Sequence, residues 1–286
     1  NQADVLSASG KGSSILASDL TLTATSTGSV NAVRVADGAA IELQRVSIQS
    51  SGFIGAVAVE GVGSSLSADG VDITAENGRG IGVTSAALTF RNGSINAKGD
   101  GITLSSLYQK PGGTAVVSHS RITSQNGNGI NVNADQAAAD LDSVQVTALG
   151  DYGVAIWMPG SNTRVDVKDS ILQTRGQSAV AIDNRGGVFT MDGGSISTLG
   201  DNSHALYASP DTTNSPGAVF NVSRVLIETS GRGSVGALAR MAGASISLSN
   251  SSIVTHGDLG YGLFASGRGA SAVSYTHLRA HETLRY

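Results

Sequence analysis

Apolar residues recur along this chain in a fixed order, and the order repeats. A pentapeptide Ile-x-Thr-x-Gly is cleanest at Ile196 to Gly200, Ile227 to Gly231 and Ile253 to Gly257. With looser occupants the same position falls on Leu22, Ile48, Ile73, Ile95, Ile122, Val146 and Leu172, so an apolar anchor returns roughly every 25 residues, the period of a solenoid. Two further apolar pairs keep step with each anchor, each spaced i, i+2 as one face of a strand requires. The upstream pairs are Ile41/Leu43, Leu66/Ala68, Leu88/Phe90, Ala115/Val117, Ala139/Leu141, Val165/Val167, Phe189/Met191, Phe220/Val222 and Ile246/Leu248. The downstream pairs read as Ile81/Val83, Ile102/Leu104, Ile130/Val132, Val154/Ile156, Val180/Ile182, Leu206/Ala208 and Leu263/Ala265.

Three short strands that recur in one direction with one face cannot close as hairpins; they must wind. Each strand then lies over its equivalent in the next coil at the spacing of paired strands, about 4.8 Å. The expected fold is all-β: a single-stranded parallel β-helix with three strands per coil and about ten coils, right-handed as parallel crossovers generally are. Residues 20–272 form the coiled segment and residues 1–19 a partial coil or flank. A solenoid grows by length without splitting into domains, and no linker interrupts it.

Composition agrees with a thin prism. Glycine is 38 of 286 residues and aromatics only 4%, so small inward side chains let the walls approach closely. Glycine or asparagine after the anchor, at Gly52, Asn77, Asn126, Gly150, Gly176 and Gly200, is expected to serve a corner with positive φ.

Charge and cysteine content narrow the function classes. A net charge of −4 with 14% charged residues supplies no basic field for nucleic acid or an anionic membrane surface. Cysteine is absent, which suits a long extracellular chain exported unfolded, because premature bridges would obstruct passage. No apolar run reaches the roughly 18 residues of a spanning helix, no signal peptide is visible, and the chain starts at Asn1, as a piece of a longer product would. The segment Val273 to Thr283 breaks the coil pattern and reads as the translation of a transposon-based sequencing adaptor; residues 273–286 are therefore expected to be an artefact without a coil to complete. His277 and His281, which fall in that segment, are not taken as metal ligands.

Chemistry must stand outside the core. Asp100, Asp151, Asp201 and Asp258 each follow an anchor by five residues and line one corner, with Arg232 at the same offset between the last two. Asp201 and Asp258 belong to coils two apart, about 10 Å, just beyond the separation of an inverting carboxylate pair, so a turn-capping Asp-Arg-Asp ladder is expected in place of a catalytic pair. Asp140/Asp142 and Asp166/Asp169 read as solvated alternation on a strand. His119, His204 and His256 share no offset, so no Ser-His-Asp constellation is supported. No catalytic residue, cofactor or metal site is expected, and the glycosylation sequons at Asn221 and Asn250 carry no weight. Extra residues accumulate after one strand at Ser106 to Gly113, Met158 to Asn162 and Ser209 to Gly217, along one edge of the rod. Tyr108, Trp157, Tyr207 and Phe264 are loop-borne or outward and form a candidate ligand-binding face; the structural ladder is Ile48, Ile73, Ile95, Ile122, Val146, Leu172, Ile196, Ile227 and Ile253.

The running pattern Ser-Ile-x-Thr-x-Gly, then Tyr261-Gly262-Leu263-Phe264-Ala265-Ser266-Gly267, with Ala244-Ser245-Ile246-Ser247-Leu248 before the next turn, resembles the passenger domain of pertactin-like autotransporters over roughly residues 20 to 272. The resemblance implies Gram-negative export, display at the bacterial cell surface or release outside it, and a C-terminal outer-membrane β-barrel beyond this chain. It implies adhesion to a host or bacterial surface glycan or protein. No Arg-Gly-Asp triplet occurs, so no integrin-type site is carried over. Two other readings stay open: a secreted polysaccharide-active β-helix enzyme (a lyase, hydrolase or phage-type depolymerase), marked by a clustered acidic groove across adjacent coils, and a purely structural stalk.

Overall fold

A computed structural model describes residues 4–25, 28, 30–210, 217–275 and 278–280. Among them every regular element is a strand and every strand pair is parallel. The chain winds through three columns of strands. The first column is an eleven-stranded sheet that runs from Leu6–Ser9 to Tyr261–Ser266. The second and third columns join into one twenty-stranded sheet, because Arg164–Thr174 and Val188–Thr198 each run unbroken from one column into the other.

The anchors form one continuous ladder in the third column. Leu22 pairs with Ile48, Ile48 with Ile73, and so on without a slip through Ile95, Ile122, Val146, Leu172, Ile196, Ile227 and Ile253. All are buried, with Leu22 the most exposed at 8%. Burying a branched aliphatic side chain contributes about 1.5–3 kcal/mol, which is why this column tolerates little but Ile, Leu and Val. The upstream pairs stack in the second column as expected, with Phe189 over Phe220 at 5.3 Å between ring centroids.

In the first column two of the expected pairs are shifted by two residues along the strand. Ile130 pairs with Ile156 and Ile156 with Ile182, so the inward pairs are Ile156/Met158 and Ile182/Asn184, not Val154/Ile156 and Val180/Ile182. Three alternate apolar residues, Val154, Ile156 and Met158, satisfy period two equally well, and only the neighbouring coil selects among them. Asn184 is fully buried yet complete in its bonding: its amide donates to the carbonyls of Gly187 and Val219 and accepts from the N–H groups of Gly186 and Gly187. A polar side chain can occupy the core because none of its capacity is left unmade.

The corners follow rules that composition concealed. The left-handed residue lies three places before each anchor, at Asp19, Arg45, Gly70, Asn92, His119, Ser143, Asp169, Gly193, Arg224 and Asn250. The expected positive-φ residues after the anchor do not have that conformation, Gly52, Asn77, Asn126, Gly150, Gly176 and Gly200 included. Glycine is needed there for close approach instead. A Cβ on Gly176, Gly200, Gly231 or Gly257 would run into the carbonyl of the glycine stacked one coil before it. A second column of small residues, Ala32, Ala56, Gly80, Gly101, Gly129, Ala155, Ala181, Ala205, Gly236 and Gly262, precedes each first-column pair. There a Cβ on Gly80, Gly101, Gly129 or Gly236 would meet the anchors Ile95, Ile122, Val146 and Ile253, so the small column and the anchor column pack directly together.

Near the N-terminus, Leu6–Ser9 and Ser14–Ser18 pair in register with the second coil. At the other end Ser271–Tyr275 pairs with Ala244–Ser249, and Leu278 lies opposite the anchor Ile253. An open sheet edge offers a row of unpaired backbone groups, and a short β-prone segment adds to it whatever its origin. His277 and His281 lie outside the described residues.

Candidate functional site

On the first sheet the residue between each inward pair points outward, and register links these residues into one ladder: Ser7, Arg34, Ala58, Gly82, Thr103, Asn131, Trp157, Asp183, Tyr207, Leu238 and Phe264. Three of the four aromatic residues named from sequence, Trp157, Tyr207 and Phe264, therefore share a single line along the rod at two-coil intervals, about 10 Å apart. Tyr108 is not on it. It stands 87% exposed in the loop Ser106 to Gly113, which Ser85 pins through bonds from Leu107 N–H (2.9 Å) and to Pro111 C=O (2.7 Å).

The long loops do share one edge, since each joins a first-column strand to a second-column strand. Met158 belongs to the strand Val154–Met158 and is fully buried, so the second insertion starts at Pro159; residues 211–216 of the third lie outside the described residues.

The three ladder aromatics differ in what surrounds them. Tyr207 is held by three neighbours: the Arg185 guanidinium lies 5.2 Å from its ring centroid, His204 stacks at 5.9 Å, and Arg240 donates to its hydroxyl at 3.1 Å. Arg185 is itself fixed by a bidentate pair with the buried Asp183, at 2.6 and 2.9 Å. His204 accepts the Val235 N–H on Nδ1 at 3.2 Å, and burial, aided by the nearby Arg240 charge, holds its imidazole below the usual histidine range. Phe264 packs on Tyr261 at 5.2 Å. Trp157 is half-buried, makes no ring contact or side-chain hydrogen bond with any described residue, and stands between two shorter neighbours, Asn131 and Asp183.

N-terminal to Trp157 the same face is polar and short. Asp100, one of the corner acids, accepts the Asn128 N–H (2.8 Å) on Oδ1 and both Asn131 Nδ2 (2.8 Å) and Thr103 Oγ1 (3.2 Å) on Oδ2. The Arg79 side chain lies across Gly82, where its guanidinium fills the space a Cβ would take.

The other acids cap and screen. Asp151 accepts Gln177 N–H and Asp201 accepts Arg232 N–H, each at 2.8 Å, so the corner is a ladder whose carboxylates bond to the backbone of the next coil. Sequence placed Arg232 beside Asp201; the contact that forms is to its amide. Elsewhere, Asp192 is drawn down to about 2 by the bidentate Arg224, then by Ser223. On the second column Asp140 and Asp166 are rung neighbours, in a shallow groove also lined by Asp142, Arg164 and Lys168. Asp166 is salt-bridged to Arg164, and Lys168 sits in strand register between Asp142 and Asp192. Among the described residues no group of three or more His, Cys, Asp or Glu side chains is arranged to hold a metal ion. No protein-family model matches the chain, and no curated protein matches it.

Proposed function

We propose that this chain is a rigid surface-displayed or secreted segment of the autotransporter-passenger type, which binds a partner on the outward face of its first sheet and performs no chemistry itself. The observation that supports this reading is the outward ladder, where aromatic and polar residues replace one another coil by coil over an interior that scarcely changes. Exposed aromatic rings on a rigid scaffold bind with little ordering cost. The test immobilises the purified rod and measures attachment of Gram-negative and epithelial cells. Replacing Trp157 and Phe264 by alanine together is expected to lower attachment by at least about tenfold. Tyr108→Ala should leave it unchanged. Equal attachment of the double variant and the parent overturns the proposed face; no attachment by the parent overturns adhesion itself. Display at the outer membrane predicts an in-frame β-barrel in the adjoining DNA.

A polysaccharide-active reading draws on Asp140 and Asp166, whose rung spacing is near the roughly 5 Å of a retaining carboxylate pair. Such a pair needs one carboxyl in an apolar setting, whereas Asp166 is salt-bridged to Arg164 and shares its groove with Lys168 and Asp142. Release of new reducing ends from polysaccharides, abolished by Asp166→Asn, would reverse this preference.

A further inference from the structure

We infer that the stretch of the outward ladder from Gly82 to Trp157 is a binding site for an acidic glycan lying along the rod axis. This deepens the surface-binding reading and rests on it. Three groups on the stretch lack partners among the described residues. The Arg79 Nε lies buried over Gly82 without a hydrogen bond, and Arg79 makes no ion pair. Two rungs on, the Oδ1 of Asn131 is buried and unbonded, although its Nδ2 is fixed on Asp100. On the next rung the half-buried Trp157 offers an indole N–H with no hydrogen-bond partner and a ring that stacks on no aromatic ring or cation among the described residues.

Of the six buried side-chain polar atoms left unbonded among the described residues, Arg79 Nε and Asn131 Oδ1 lie over this one stretch beside the Trp157 indole, and buried polar atoms are seldom left without a ligand or water to satisfy them. The three groups ask for different chemistry from that ligand. An indole face takes the apolar face of a pyranose ring. A free amide oxygen beside a free indole N–H, one acceptor and one donor about one strand spacing apart, suits hydroxyls, which both give and receive. An unpaired guanidinium suits an anionic substituent, a carboxylate or a sulfate. Gly82, Thr103 and Asn131 are short, so the approach to Trp157 is low and spans three rungs, about 15 Å, the reach of a few sugar rings. Further along, Tyr207 is closed by Arg185 and His204 and serves as a wall.

Trp157 is the chain's only tryptophan, so its fluorescence reports this site alone. The whole chain is titrated with a hexamer of galacturonate, a sulfated oligosaccharide of similar length, and neutral cellohexaose. A saturable change in emission is expected with at least one acidic oligomer, at an affinity at least about tenfold above cellohexaose. Arg79→Gln and Asn131→Ala should each weaken it by about tenfold or more, and added salt should weaken it in the parent and less in Arg79→Gln. Circular dichroism confirms that each variant keeps its strands. No saturation with either acidic oligomer, or equal binding of cellohexaose, overturns the inference. Cell attachment that persists in Arg79→Gln and Asn131→Ala but is lost in the Trp157/Phe264 double variant would refute this ligand while leaving the surface-binding reading standing.

Discussion

The anchor column and the outward ladder of the first sheet are built on the same coils, yet they obey different rules. From Leu22 to Ile253 the anchors admit only Leu, Ile and Val, while the outward ladder passes from Arg34 through Gly82 and Asn131 to Trp157, Asp183 and Phe264 with almost no repetition. An anchor meets the anchors above and below it and a small residue across the core, so volume is fixed from every side. An outward residue stacks only on its rung neighbours and on side chains lying over the sheet, so although Thr103, Asn131, Asp183 and Leu238 are buried, no partner across the core fixes their volume. The repeat therefore marks what the fold requires, and the places where it lapses on an exposed face mark what selection was free to use.

The comparison breaks most visibly at an anchor. Ile196→Asp is expected to remove several coils at once, because an ionised carboxylate cannot remain in that column; a thermal scan and far-ultraviolet dichroism should show loss of structure rather than a small shift. Gly200→Ala comes next, at about 1–3 kcal/mol, since its Cβ would strike the Gly176 carbonyl and backbone cannot step aside as a side chain would. The opposite corner sharpens the point. His119 has positive φ, so His119→Gly should be neutral or slightly stabilising in denaturant titrations, whereas a loss above about 1 kcal/mol would contradict the corner assignment.

Smaller effects come from titration. His204 is kept neutral in the fold, its value held below the ordinary 6.5, and protonation would end its acceptance of the Val235 N–H. Its share of stability is therefore complete above pH 6.5 and is lost as pH falls through the lowered value. His204→Gln should flatten the dependence of unfolding midpoint on pH between about 7 and 5. Asp192 acts in the same direction at lower pH: its contribution with Arg224 is present above its ordinary 3.8 and lost as pH falls through about 2. The pair is exposed, so Asp192→Asn should change the melting temperature least of all, and salt should erase the difference. Deleting residues 273–286 should cost no more than fraying of the terminal coil, since Ile253 retains Ile227 beneath it; a fall above about 5 °C would give the tail a structural role.

The anchors and upstream pairs were legible in the sequence because only aliphatic residues, Phe and Met occupy them, and period two reads them directly. Val154 and Asn184 misled that reading: three alternate apolar residues left the register free, and a satisfied asparagine hid an inward position. The left-handed corners were illegible for a different reason. Asp19, Arg45, His119 and Arg224 occupy a conformation usually given to glycine, and the bidentate pairs Arg45 with Asp19 and Arg224 with Asp192 show that these corner residues also serve ion pairs between coils. Trp157 was visible as an outward aromatic, and its alignment with Tyr207 and Phe264 follows from register. Asn131 and Arg79 were not visible, because an unmet hydrogen bond exists only in three dimensions.

The division between a constant interior and a variable face is tested most directly by unfolding Ile196→Ala and Trp157→Ala in denaturant beside the parent. Both remove a large apolar side chain, one from the anchor column and one from the outward ladder. Ile196→Ala should lose about 2–5 kcal/mol, and Trp157→Ala less than half of what Ile196→Ala loses. If Trp157→Ala destabilises the rod as much as Ile196→Ala, the outward ladder is part of the core and the account is wrong.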